Sequence, residues 1–138
     1  MVRVARCCCG ALRAEVTGEP VSVHICHCTE CQRRTGSVFG VSAVFSADQV
    51  HATGPSKLYV RDGQQGRKVR LHFCSECGTN LFGESVVRLG YVVVFAGTFA
   101  DPLFPGPARS IWEQSRHPWV ALSHDVARFP QAPPYPKD

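Results

Sequence analysis

The stretch Cys26-His27-Cys28-Thr29-Glu30-Cys31 places three thiols within six residues and constrains the fold more than any other part of the chain. Thiols this close together can bind one soft metal ion without a contribution from distant sequence. Such an ion either takes a fourth ligand from elsewhere or keeps one coordination position open. An open position is typical of catalytic zinc, and a closed one of structural zinc.

Four further cysteines form two short pairs, Cys7/Cys9 near the start and Cys74/Cys77 in the second half of the chain. In an extended chain, residues two apart share a face, so Cys7 and Cys9 are predicted to point together. The segment 74–78 has the form of a zinc knuckle, in which a glycine lets the backbone turn so that its amides face the sulfurs. The two pairs together predict a Cys₄ structural zinc site.

The remaining assignment is a second zinc held by Cys26, Cys28 and Cys31, with a vacant fourth position. Cys8 is the odd thiol. Three alternatives stay open: one of the three thiols completes the first site, the cysteines ligate an iron–sulfur cluster, or His24 acts as the fourth ligand because it shares the parity of Cys26. His27 lies between two ligands and is predicted to face away from the metal.

Composition sets the class of protein. At 138 residues, with 44% hydrophobic and 19% charged residues, the chain is expected to fold as a globular protein. Its net charge of +4 is mild and its basic residues are scattered, so nucleic acid is not the expected partner. We find neither a signal peptide nor a membrane span, and expect a cytoplasmic protein. Closely spaced thiols without a signal favour metal ligation over disulfides.

The hydrophobic pattern predicts a mainly β fold with little helix. Several short segments alternate apolar and polar residues or are rich in β-branched and aromatic residues. A helical turn is predicted over 32–37, ended by Gly36. Residues 1–129 are predicted to form a single zinc-binding domain, and 130–138 a loose Pro-rich C-terminal tail. The predicted strands are 11–16, 21–26, 38–45, 57–60, 68–73, 80–82 and 91–97.

A zinc ion held by three thiolates is soft and carries a net negative ligand charge, so it suits capture of a thiolate better than activation of water. The natural fourth ligand is therefore the thiol of a small-molecule substrate. Arg33 and Arg34 follow the three thiols closely and could pair with carboxylates of that substrate. Solvated surface arginines are the alternative.

Five motifs now identify a resemblance: Cys-x-Cys-Gly-Ala, Cys-His-Cys-x-x-Cys-x-Arg-x-x-Gly-Ser-x-Phe, Phe-Cys-x-x-Cys-Gly-x-x-Leu, Gly-Thr-x-x-Asp-Pro and Ile-Trp-x-x-Ser-x-x-Pro-Trp. In this order they resemble the glutathione-dependent formaldehyde-activating enzyme family, which includes centromere protein V. The resemblance covers residues 7 to about 129. It implies a β-tent fold of several small antiparallel sheets around zinc-binding knuckles.

The resemblance also implies ligands and a reaction. Cys7, Cys9, Cys74 and Cys77 would hold a structural zinc, and Cys26, Cys28 and Cys31 a zinc that binds the glutathione sulfur. The implied reaction makes or breaks the carbon–sulfur bond of S-(hydroxymethyl)glutathione.

Two functions from different classes follow. The first is a carbon–sulfur lyase-like enzyme, active as a monomer or homodimer, that acts on a glutathione or other thiol adduct of an aldehyde. The second is a zinc-stabilised binding module in which both metals are structural. Nucleic-acid or microtubule binding would need a basic arm, and none is present in the sequence.

Overall fold

A computed structural model of the chain describes residues 1–63, 66–85 and 89–133. These residues divide into two compact units. The first unit comprises Met1–Val21 and Ala43–Phe104, and the second comprises Ser22–Ser42 and the chain from Pro105 onward. A single domain over 1–129 stays a prediction.

The fold is mainly β, as the sequence predicted. Within the described ranges, strands account for most of the regular structure, and there is one α-helix, α1 (Thr29–Thr35). The strands are β1 (Val2–Arg6), β2 (Arg13–Thr17), β3 (Ser22–Cys26), β4 (Gly40–Ser46), β5 (Val50–Thr53), β6 (Ser56–Asp62), β7 (Lys68–Cys74), β8 (Asn80–Glu84), β9 (Tyr91–Phe95), β10 (Arg109–Ile111) and β11 (Ala127–Arg128).

The first unit contains a small antiparallel sheet in the order β1-β2-β5. Its central strand alternates strictly: Ala14 and Val16 are buried, whereas the residues on either side of each are exposed. One face of this sheet therefore packs on the core and the other meets solvent, as the period-2 pattern requires.

A second group of strands runs in the order β4-β9-β8-β7-β6 and belongs to the first unit from Ala43 of β4 onward. The β9/β8, β8/β7 and β7/β6 pairs are antiparallel. The core beside them is aromatic: the Phe45 and Phe99 rings lie 6.3 Å apart, and Phe99 stacks on Phe104 at 4.5 Å. The knuckle that carries Cys74 follows directly from β7, so the packing of this sheet positions one end of a cysteine cluster.

The second unit is built on parallel pairing. β10 pairs in parallel with β3 on one side and with β11 on the other. The expected fold of several small antiparallel sheets included no parallel pairs, so these two pairs are a difference from the prediction. They were not predictable because β10 has three residues and β11 two, too few to show a hydrophobic period.

Two local predictions need correction. The strand predicted over 11–16 begins two residues later, at Arg13, because Cys7 is followed by a turn in which Gly10 has φ 80°. The helix begins at Thr29 rather than at residue 32, with Cys28 as its N-cap. Its predicted end is correct, because Gly36 adopts the left-handed conformation with φ 71°.

The first residues of the predicted tail are attached rather than loose. The carbonyl groups of Pro130 and Gln131 accept hydrogen bonds from the backbone amides of Gln114 and Trp112, each at 3.3 Å. Residues 134–138 of the tail lie outside the described residues. Within the part of the chain that the structure describes, no helix has the length and hydropathy needed to cross a bilayer.

Candidate metal centres

The structure brings the two cysteine pairs of the first unit together. The Sγ atoms of this cluster, the quartet, all lie within 4.8 Å of one another, and its members are Cys7, Cys9, Cys74 and Cys77. Cys9 Sγ lies 3.6 Å from Cys7 Sγ and 3.7 Å from Cys74 Sγ. Cys7 and Cys74 are buried, whereas the other two are exposed. The quartet therefore lies at the surface with one side closed by the core.

Two similar turns build the quartet. In the first, the amide of Gly10 donates to the carbonyl of Cys7 at 3.0 Å, and in the second, Gly78 donates to Cys74 at 2.9 Å. Both glycines have φ 80°, a conformation that favours glycine. Backbone amides then face the sulfurs: Leu12 N–H donates to Cys7 Sγ at 3.2 Å. Cys7 and Cys9 thus converge through a turn and not through the extended chain that the sequence suggested.

Thr79 links the two turns, a role that sequence reasoning missed. Its Oγ1 accepts the backbone N–H of Cys8 at 3.0 Å and lies 3.3 Å from Cys77 Sγ. Hydrogen bonds from the hydroxyl and the amide of Thr79 lower the pKa of Cys77 to about 5. Cys8, the odd thiol of the sequence, is exposed and lies outside the quartet.

The pKa of another thiol of the quartet reflects how closely its neighbours approach it. The amide of Ala11 lowers the pKa of Cys9, but the side chain of Cys7, together with those of Cys77 and Cys74, outweighs it and raises that pKa to about 12. Thiols this close cannot all ionise without a cation between them, because each new negative charge opposes the last. The donor set and its spacing therefore fit a soft metal ion.

The second cluster, which we call the trio, consists of Cys26, Cys28 and Cys31, whose Sγ atoms also lie within 4.8 Å of one another. Cys26 is the last residue of β3, and Cys28 caps α1 by accepting the N–H of Cys31 at 3.3 Å. The strand end and the first helical turn thus aim three sulfurs at one point. Hydrogen bonding with Cys28 and Cys31, together with burial, raises the pKa of Cys26.

No histidine, aspartate or glutamate among the described residues joins the trio. His24, the candidate fourth ligand, is absent from this group of potential ligand atoms. It lies opposite Arg109 in the β3/β10 pair, and burial and the Arg109 charge lower its pKa to about 4. The trio can therefore offer a metal ion three sulfurs, one fewer than the quartet.

His27 lies between two members of the trio and turns into the protein interior. Its side chain is fully buried, its Nε2 atom lies 3.0 Å from Ser110 Oγ, and its ring meets the edge of Phe39. The hydroxyl of Ser110 donates to Glu113 Oε2 at 2.7 Å. The prediction that His27 faces away from a metal agrees with these contacts, but Ser110 and Glu113 gave no signal in the sequence.

The two arginines after the trio differ in environment. Arg33 is 72% exposed and pairs with Glu30 at 3.1 Å. Arg34 is only partly exposed, and its guanidinium packs over Gly40: a Cβ built on Gly40 would lie 2.6 Å from Arg34 Nη2 and 3.6 Å from Cys31 Cβ. The guanidinium of Arg34 therefore lies close to the trio, and that of Arg33 points to solvent.

Comparison with known proteins adds to this geometry. Residues 2–115 match the family model described as glutathione-dependent formaldehyde-activating enzyme. A relative from Pyrenophora teres f. teres is 32% identical over 123 residues, which cover 81% of this chain and 64% of the relative. A relative from Penicillium rubens is 33% identical over 124 residues, 82% of this chain and 64% of the relative. Both are named after the same family.

The chain thus spans about 64% of the length of these relatives. Among solved structures, a crystal structure of a Rhodobacter sphaeroides protein is similar, with a TM-score of 0.54 and 20% sequence identity. The similarity covers 69% of this chain and 85% of that protein. At this identity the likeness concerns the fold.

Proposed function

The chain belongs to the glutathione-dependent formaldehyde-activating enzyme family, and from this premise we propose that it is a carbon–sulfur lyase-like enzyme. Its substrate would be a thiol adduct of an aldehyde, of the S-(hydroxymethyl)glutathione type. The quartet would hold a structural zinc ion, and the trio a second zinc ion at the reactive centre.

The observation that carries the proposal is the difference in donor number between the two clusters. The quartet offers four sulfurs, which close a tetrahedral zinc site, whereas the trio offers three. Among the described residues, no further ligand atom lies within the same 4.8 Å of the trio sulfurs. A tetrahedral ion there keeps one position for a ligand from outside the chain.

The chemistry of the trio follows from its donors. Zinc bound there would lower the pKa of a thiol ligand and hold its sulfur as a thiolate. The N–H of Cys31 donates to Cys28 Sγ and stabilises negative charge on that sulfur. In the reaction itself, the carbon–sulfur bond of the adduct breaks, the hydroxymethyl carbon leaves as formaldehyde, and the hydroxyl proton ends on the thiol. The reverse direction forms the adduct from the same two molecules.

The test is a comparison of two ligands that differ only at sulfur. We expect glutathione to bind the zinc-loaded protein and S-methylglutathione, which has no free thiol, to bind at least about tenfold more weakly by isothermal titration. We also expect the protein to accelerate adduct formation from formaldehyde and glutathione. Equal binding of the two ligands would contradict the proposal and favour the zinc-stabilised binding module.

For Arg33 and Arg34, the sequence left open both a contact with carboxylates of the thiol and a solvated surface position, and their environments separate them. Arg34→Gln is expected to weaken glutathione binding about ten- to hundredfold, because a charge-assisted hydrogen bond contributes roughly 1.5–3 kcal/mol. Arg33→Gln, the matched control on the same helix, is expected to bind within about twofold of wild type, since exposed charges contribute little. Gly40→Ala should behave like Arg34→Gln, because its Cβ would displace the guanidinium.

The diethyl ester of glutathione distinguishes substrate recognition from support of the cluster. Its carboxylates are blocked, so Arg34→Gln should not change its affinity. If the ester and glutathione lose affinity equally in Arg34→Gln, then Arg34 acts on the trio and not on the substrate.

A further inference from the structure

We propose that Ser110 and Glu113 are positioning residues for the trio. They fix the side chain of His27, and through His27 they fix the short segment that carries Cys26 and Cys28. This inference rests on the proposed function only in taking the trio as a metal site. It assigns a role in that site to residues that are distant in sequence: Ser110 lies 83 positions after His27.

The directions of the hydrogen bonds around the His27 ring define which of its nitrogens carries the proton. The Glu113 carboxylate only accepts, and Ser110 Oγ lies 2.7 Å from Glu113 Oε2, so the single hydroxyl proton points to the carboxylate. Ser110 Oγ must then accept from His27 Nε2, which lies 3.0 Å away. The Nδ1 atom of His27 has no hydrogen-bond partner among the described residues. A proton there would be a buried donor without an acceptor, so His27 is assigned as the neutral Nε2–H tautomer.

Glu113 is held in turn by two arginines. Arg128 Nη1 donates to Glu113 Oε1 at 2.8 Å, and Arg116 Nε lies 3.3 Å from Oε2. Burial opposes the charge of Glu113, but the hydrogen bonds from Ser110 and Arg128 outweigh it and lower the pKa of this carboxyl. Glu113 therefore remains an ionised acceptor and fixes the direction of the Ser110 hydroxyl.

The backbone of His27 is anchored by the same part of the second unit. Its N–H donates to the carbonyl of Ile111 at 3.1 Å. Its carbonyl accepts from Gln32 Nε2 at 2.9 Å, and the other end of that amide, Oε1, lies 3.0 Å from His117 Nε2. Both backbone polar groups and one ring nitrogen of His27 are thus fixed.

This anchoring matters because His27 has a potential metal ligand on each side. A rotation or shift of its backbone would therefore move Cys26 and Cys28 relative to Cys31 and change the spacing of the three sulfurs. Groups that orient metal ligands without touching the metal commonly change metal affinity about 10- to 100-fold when they are removed. The close sequence spacing of the trio supplies the donors, and the Ser110–Glu113 pair sets their arrangement.

The test measures metal retention at each cluster. The protein is loaded with cobalt(II), and a chromophoric chelator removes the metal in two steps. The step that is absent in Cys28→Ser is the release of metal from the trio, which we call the trio step. In Ser110→Ala the trio step is expected at about 10- to 100-fold lower chelator concentration, with the quartet step unchanged. His27→Gln, which keeps a side-chain N–H donor, should lose less of the metal affinity of the trio than His27→Leu, which keeps none.

Glu30→Gln is the matched control. Glu30 is an exposed carboxylate between Cys28 and Cys31, closer to the trio in sequence than Glu113, and its replacement should leave both steps unchanged. An unchanged trio step in Ser110→Ala would overturn the proposal, and so would an equal loss at both steps, which marks a general role in folding. If Ser110→Ala is insoluble, Glu113→Met decides by the same criterion, because it keeps the length of the side chain and removes both acceptor oxygens. Glutathione is absent from the experiment, so its result is independent of the proposed substrate.

Discussion

Cys74→Ser is expected to yield insoluble or unfolded protein. The quartet joins segments about seventy residues apart, and the free energy of zinc binding at such a site is free energy of folding, on the order of 10 kcal/mol. Cys74 is fully buried, and its Sγ accepts the N–H of Glu76 at 3.4 Å. A serine hydroxyl at this position is a poor ligand for a soft metal ion and cannot replace the sulfur.

The matched control is Cys8→Ser, which removes an exposed thiol from the neighbouring turn without removing a ligand. Thermal unfolding with and without a chelator, together with zinc content, checks both variants. Cys8→Ser should unfold at the wild-type temperature. If Cys74→Ser is soluble and unfolds cooperatively at the wild-type temperature, the quartet does not have the structural role proposed for it.

Cys28→Ser is expected to remain folded and to lose glutathione binding. The ligands of the trio close only a six-residue loop, so metal bound there restrains little chain entropy. With two thiolates left, the site should lose its zinc, and with it the position proposed for the substrate sulfur. The expected loss of affinity for glutathione is about a hundredfold or more.

The zinc content of Cys28→Ser and its isothermal titration with glutathione measure these two losses directly. Cys28→Ser is expected to retain about one zinc ion, and the wild type two. Cys8→Ser again serves as the control and should bind glutathione as the wild type does. Wild-type affinity in Cys28→Ser would mean that glutathione binds elsewhere, and the trio would then be at most a structural site.

The cysteine groups were predictable because their members are close in sequence. Spacing alone placed three thiols in one cluster and four in another, and the structure brings together the same two sets. Cys7 and Cys9 do point together as predicted, but they meet through a turn at Gly10 and not in an extended chain. Residues two apart lie on the same face of an extended chain, and a tight turn can also bring two such residues to one side.

The supporting residues were not predictable because they depend on long-range pairing. Ser110 meets His27 only when β10 lies in parallel beside β3, and a three-residue strand carries no period that could indicate this. Thr79 was missed for a different reason: a threonine after a knuckle is unremarkable until the turn at Cys8 lies against it. Sequence spacing thus predicts the metal donors, whereas the contacts that orient them can be identified only once the fold is known.

The division into two units determines the order in which the protein can be completed during synthesis. Each unit is interrupted by the other in sequence: the first needs residues up to 104, and the second joins 22–42 to the chain from Pro105 onward. A growing chain therefore presents Cys26, Cys28 and Cys31 long before the ribosome has added Ser110. For that interval the three thiols are available to metals or oxidants without their anchor. No single truncation of the gene can therefore yield either unit without part of the other.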